Sequence, residues 1–266
     1  MKLTIVTQGG LCNRLRVLLA AYHFSETQAR AVQVEWAKNA ECFAHFHELF
    51  EDIHSAYFRV SERKCWHIPV RRQNLHIPGI LRCLYYQKQL KNFHPQHHGS
   101  LKHLAEKYRR LYLSSGYAVC DYPASLTKIL QPVAPIQARI DDFCKDFPAY
   151  TVGVHIRRTD NAVSIAESPV SSFILAMEEE VKNHPSVKFY LATDDIATKQ
   201  LLQEKFEGRI ITQHIEGSRS NQQGMIEAVV DLFCLSRCHK LLGSYWSSFS
   251  DMAADLGSIK AQIIRK

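Results

Sequence analysis

Two arginines follow directly on an apolar run in VGVHIRRTD, residues 152 to 160, and their chemistry suits an anion. Val152, Val154 and Ile156 alternate as the residues of a buried strand do. Arg157 and Arg158 therefore fall just past its carboxyl end, where open α/β sheets bind ligands. Successive strand side chains point to opposite faces, so Arg157 is assigned to the ligand and Arg158 to bracing a neighbouring loop. A guanidinium offers permanent charge and paired hydrogen bonds to phosphate oxygens, which makes a phosphorylated ligand, with a diphosphate as one form, the expected partner. The competing reading is an Arg-Asp pair closing a surface turn, an interaction worth little.

Three other segments carry similar chemistry. Asp194 and Asp195 follow a strand beginning at Val187, and they could bond a base or sugar, hold magnesium as a carboxylate pair, or cap the next helix; one is expected to cap and the other to be free. GSYWSSFS, residues 243 to 250, crowds Ser244, Ser247 and Ser248 onto a helix start, where amides and hydroxyls either cradle a diphosphate or simply cap the helix. Asp231 interrupts the apolar helix pattern of Met225, Ile226, Val229, Val230 and Phe233, so it either faces solvent or reads a ligand. Near the start, GGLCNR gives a strand, glycine turn and helix. Gly10 and Asn13, with Gly9, either approach a ligand or merely form a tight turn, since the sequence is neither a G-x-G-x-x-G nor a Walker motif.

The elements that must position these residues are clearest in the second half. Strands are expected at 152–157, 187–192, 209–212, 240–243 and 261–265, separated by helices near 170–183, 196–206, 224–236 and 248–256. This is the pattern of a doubly wound parallel sheet. Ser168 is expected as N-cap with Pro169 at the first helical position, holding Glu167 just outside the helix. In the first half, strands are expected at Leu3–Thr7 and Val32–Trp36; the pattern then loosens to about residue 110. The histidines at 94, 97, 98 and 103 read as an exposed loop rather than a metal tract. Prolines 132, 135 and 148 flank a helical piece over 136–147, and the domain boundary is placed near 148.

Composition narrows the class. The chain has 266 residues, is 46% hydrophobic and carries a net charge of +7, which favours anionic partners. Its basic residues are spread without the interleaved aromatics of a nucleic-acid signature, so nucleic acid is not an expected partner. No run approaches the ~20 apolar residues of a membrane span, and MKLTIVTQGG reads as strand and turn rather than signal peptide. A cytoplasmic location is expected. The eight cysteines show no paired framework and read as free thiols, and Cys234, Cys238 and His239 lack the second ligand pair of a zinc site.

Taken in order, GGLCNR, GVHIRRTD, YLATDD and GSYWSSFSDMAADL resemble the fucosyltransferase superfamily, which includes the α-1,6-fucosyltransferases, the rhizobial nodulation fucosyltransferase and the protein O-fucosyltransferases. The likeness is strongest over residues 150 to 257. It implies a GT-B-like α/β protein of two Rossmann-like domains facing a central cleft, residues 1–148 on the acceptor side and 149–266 binding the donor. It further implies an inverting, metal-independent glycosyltransferase that uses GDP-fucose or a related GDP-sugar and needs no cofactor. In that reading Arg157 contacts the β-phosphate, His155 and Asp231 lie near the nucleoside, Asp194 and Asp195 near the donor pocket, and Ser247 and Ser248 at the diphosphate. The acceptor's proton would go to Asp160 or Glu167. Two departures stand out: Asn161 replaces a lysine of the α-1,6 enzymes, and no counterpart of the stem and accessory domain of the animal enzymes is expected. The expected acceptor is a glycan or lipid-linked saccharide for polysaccharide biosynthesis, with a peripheral membrane surface as a further partner. The alternative is a catalytically silent nucleotide-sugar or glycan-binding protein of the same fold.

Overall fold

A computed structural model describes residues 2–62, 76–159, 161–213 and 220–266. They divide into two compact units: residues 2–133 with 220–222, and the remainder. The division at Val133 falls ahead of the 148 expected from the prolines. The intervening helix is tied to the second unit, because Arg139 pairs with the buried Glu227 at 2.6 Å and Cys144 Sγ lies 3.6 Å from Cys234 Sγ.

The first unit runs β1 (Lys2–Thr7), α1 (Leu11–Thr27), β2 (Val32–Trp36), β3 (Phe58–Glu62), α2 (Gly79–Tyr85), β4 (Lys88–Leu90), α3 (Pro95–His98), α4 (Leu101–Lys107) and β5 (Arg110–Ser115). Its strands lie in the order β3-β2-β1-β5-β4, all parallel. Among its described residues, the stretch expected to be loose thus holds β3, β4 and the helices α2 to α4, each too brief for any period to register. The histidine tract, expected as a loop, includes α3, with His94 capping it through Nδ1.

The second unit runs α5 (Ala134–Cys144), β6 (Thr151–Ile156), α6 (Ala162–Glu167), α7 (Val170–Asn183), β7 (Lys188–Thr193), α8 (Ile196–Lys205), β8 (Ile210–Ile211), α9 (Gln222–Ser236), β9 (Lys240–Ser244), α10 (Ser248–Gly257) and β10 (Lys260–Ile264). Its sheet has the order β10-β9-β6-β7-β8, again all parallel. Every residue of β6 is buried, as a parallel strand covered on both faces requires. Val152, Val154 and Ile156 pack with Phe173 and Met177 of α7 and Leu202 of α8. The intervening Gly153 and His155 face the other layer, that of α9 and α10.

Candidate functional site

Counted from its own first strand, the second sheet has the order 3-2-1-4-5, and its topological switch point lies between β6 and β9. Ligands of doubly wound sheets bind beyond the carboxyl ends of such strands. The sequence places Arg157 and Arg158 at one of these ends and Ser244 to Ser248 at the other. A hydrogen bond joins them: the Arg157 backbone N–H donates to Ser244 Oγ at 3.1 Å, and that hydroxyl donates to His155 O at 3.1 Å. Ser244 is fully buried and works as a bracket between the two strand ends. The Arg157 side chain is half-buried.

The loop after β6 is clasped by Asp194. Its carboxylate accepts from Arg158 N at 2.7 Å and from Thr159 Oγ1 at 2.6 Å. Asp195 caps α8, accepting from Thr198 Oγ1 and from Thr198 N at 2.8 Å, and these bonds hold its carboxyl below the usual range. Capping by one aspartate was expected, but the other is not free. Arg158 Nη1 reaches Ile165 O at 3.4 Å, tying the loop to α6. Asp160 lies outside the described residues.

The exit of β9 has an unusual backbone. Trp246 adopts φ +53°, a left-handed conformation that costs a bulky residue energy and tends to persist at functional sites. Its carbonyl accepts from Asn161 Nδ2 at 3.1 Å, and its indole is 69% exposed. Ser247 follows at the N-cap of α10 without capping it, and its buried hydroxyl has no partner among the described residues. A buried hydroxyl beside the first amides of a helix, at the positive end of the helix dipole, suits an anionic ligand. Ser248, half-buried, opens the helix.

His155 and Asp231 share the α9–α10 face of the sheet. His155 Nδ1 bonds Ser250 Oγ at 2.8 Å, and its ring stacks on Phe249 at 4.7 Å. Burial, reinforced by the charge of Arg157 and opposed by Asp194, lowers its pKa to about 4, so the ring is neutral near pH 7. Asp231 Oδ1 accepts from Tyr190 Oη at 2.8 Å and Gln213 Nε2 at 2.6 Å, while burial raises the carboxyl pKa to about 6. Asp231 thus neither simply faces solvent nor breaks the helix; it is held by polar groups that the sequence pattern does not reveal.

Glu167 is the last residue of α6, and Ser168 does not cap α7. The Ser168 hydroxyl donates to Ile264 O at 2.6 Å and accepts from Tyr245 N at 2.8 Å, leaving Pro169 at the N-cap position without a side-chain bond. Glu167 pairs with Arg265 at 3.2 Å, and that guanidinium lies 3.9 Å from the centroid of the Tyr245 ring. These contacts place Glu167 beside the end of β10.

In the first unit, Gly9 needs its glycine: φ is +81°, and a Cβ would meet Asn13 Nδ2 at 2.8 Å. Arg14 is wholly buried, donating to Gly9 O at 2.7 Å, to Ala37 O and to Asn39 Oδ1 at 2.7 Å. The arginine of GGLCNR is therefore a strut for the turn. Gly10 is the N-cap of α1 and Asn13 sits half-buried in its first turn, at the switch point between β1 and β5. Among the described residues no cluster of three or more His, Cys, Asp or Glu could hold a metal ion, and no helix is long and apolar enough to cross a membrane.

A pair of parallel five-stranded sheets, the second gathering an arginine and an open helix N-terminus at its switch point, defines a GT-B-like α/β protein of two Rossmann-like units. Compared by sequence, the chain matches no protein-family model and no curated protein. Compared by structure, it is similar to fucosyltransferase NodZ from Bradyrhizobium, with TM-score 0.61, 16% identity, and coverage of 94% of this chain and 92% of that one. POFUT1 in complex with GDP gives 0.58, 14%, 99% and 96%. A variant of Arabidopsis thaliana FUT1 with GDP gives 0.63, 12%, 98% and 69%. The chain thus has the fold of these fucosyltransferases, and the resemblance noted in the sequence holds at the level of architecture.

Proposed function

We propose that this chain is an inverting glycosyltransferase that moves fucose or a related sugar from a GDP-sugar to a glycan or lipid-linked saccharide. The observation that carries the reading is the junction of Arg157 with the open start of α10, in a fold whose solved relatives include GDP complexes. As the glycosyl-phosphate bond breaks, negative charge builds on the departing diphosphate. A fixed guanidinium, helix amides and the Ser247 hydroxyl stabilise that charge without reorganising. His155, neutral and wedged between Ser250 and Phe249, shapes the nucleoside side, and the Asp231 carboxylate accepts from a base N–H. Asp160 or Glu167 takes the acceptor's proton.

Calorimetry with GDP, UDP and CDP tests the donor. GDP is expected to bind most tightly; no binding of any nucleotide up to millimolar concentration overturns the proposal. With GDP-fucose as donor, Arg157→Ala is expected to lower the rate by on the order of 10²- to 10³-fold, and a chelator is expected to change nothing. Of Asp160→Asn and Glu167→Gln, the one that removes the base abolishes transfer while leaving GDP binding intact.

A further inference from the structure

Helix α2 is amphipathic in the wrong sense for a surface helix. Ile80 and Leu84 are each 77% exposed, Leu81 51% and Tyr85 44%. The one residue it buries is Arg82, whose guanidinium lies 5.7 Å from the centroid of the Tyr112 ring. Surface helices normally turn their apolar stripe inward, and a contiguous exposed apolar patch marks a binding surface.

The rim of this patch is cationic. Lys2 Nζ and Arg110 Cζ lie 5.5 and 5.2 Å from the Tyr85 ring centroid. Gln87 Oε1 accepts from the backbone of Arg109 at 2.8 Å and of Arg110 at 3.1 Å, which holds both arginines close to the end of α2. Residues 76–120 include seven Lys and Arg and a single acid, Glu106. The asymmetry extends to the whole chain. Residues 1–133 carry 18 Lys and Arg against nine Asp and Glu, and residues 134–266 carry 15 against 17, so the net positive charge belongs to the first part.

We propose that α2 and its basic rim dock on the surface of an anionic phospholipid bilayer, with Ile80, Leu81 and Leu84 entering the headgroup boundary and Lys2, Arg109 and Arg110 meeting lipid phosphates. Exposed aliphatic side chains supply insertion, a tyrosine suits the interfacial depth, and each basic residue near the surface adds electrostatic attraction. An apolar protein groove would satisfy the leucines but not the excess of Lys and Arg over acids in this segment. This inference is independent of the transferase reading.

Co-sedimentation of the full chain with phosphatidylcholine vesicles, with and without phosphatidylglycerol, tests it. Binding is expected only to the anionic vesicles and to weaken as salt is raised. The double variant Ile80→Glu, Leu84→Glu, altering two exposed side chains, is expected to partition about 10-fold less or lower, with an unchanged melting temperature. Arg109→Gln with Arg110→Gln is expected to weaken anionic binding several-fold. The proposal is overturned if the chain fails to bind phosphatidylglycerol vesicles, if the double glutamate variant binds them as well as the parent, or if the patch instead drives a dimer that the glutamates dissolve while vesicle binding is absent.

Discussion

Asp194 illustrates how a charged side chain can serve a site by holding a neighbour. Its carboxylate spans the turn after β6, bonding the Arg158 amide and the Thr159 hydroxyl, and so fixes the chain on which Arg157 is carried. Hydrogen bonds to a charged group are each worth about 1.5–3 kcal/mol, and small misplacements of a positioned group cost as much as ~10²-fold in rate. Asp194→Ala is therefore expected to lower kcat/KM about 10- to 100-fold, with Asp194→Asn recovering part of the loss because one acceptor survives. GDP calorimetry on the same variants checks that the loss includes donor binding. Equal damage from Ala and Asn would assign the role to the charge rather than to the bonds. The sequence showed the aspartate pair at a strand exit. Which member would cap α8 and which would reach across to the next strand's loop depends on sheet register, with His155 beside Ala192 and Ile156 beside Thr193.

At the scale of the element, α10 and β9 meet so closely that one methyl group would disturb them. A Cβ on Gly243 would lie 2.8 Å from both Cβ and Oγ of Ser250. The strand cannot retreat easily, because β6 and β10 flank it. Gly243→Ala is expected to cost about 1–3 kcal/mol through overpacking, read as a lower urea midpoint with unchanged slope. Adding Ser250→Gly should recover much of that stability, since it removes the colliding atoms, and the double-mutant cycle measures the coupling. The same closeness sets Ser250 within 2.8 Å of His155. A glycine in a strand thus serves the site by admitting a helix, which its place in GSYWSSFS alone does not disclose.

For the whole molecule, two desolvated groups oppose each other in pH dependence. His155 has a pKa of about 4 in the folded chain against an ordinary value of 6.5. The unfolded chain therefore binds more protons between these values, and this group makes stability rise with pH there. Asp231 has a pKa of about 6 against 3.8. The folded chain holds the extra proton in that window, and its contribution falls as pH rises. Denaturation between pH 4 and 6.5 is expected to show a shallow net dependence for the parent. Asp231→Asn leaves the histidine unopposed, so stability should climb with pH, and a flat profile in that variant would refute the assignment. By itself the sequence determined the alternation of strands and helices in the second half, the four motif-bearing loops and their resemblance to fucosyltransferases, because buried parallel strands and capped helices impose local periods that a single chain displays. Tertiary structure alone decided the strand orders, hence the switch point that brings residues 157 and 244 together. It also decided the clasp by Asp194, the salt bridge of Glu167 to Arg265 and the outward apolar face of α2. These depend on contacts between segments distant along the chain, and such contacts leave no period in the sequence.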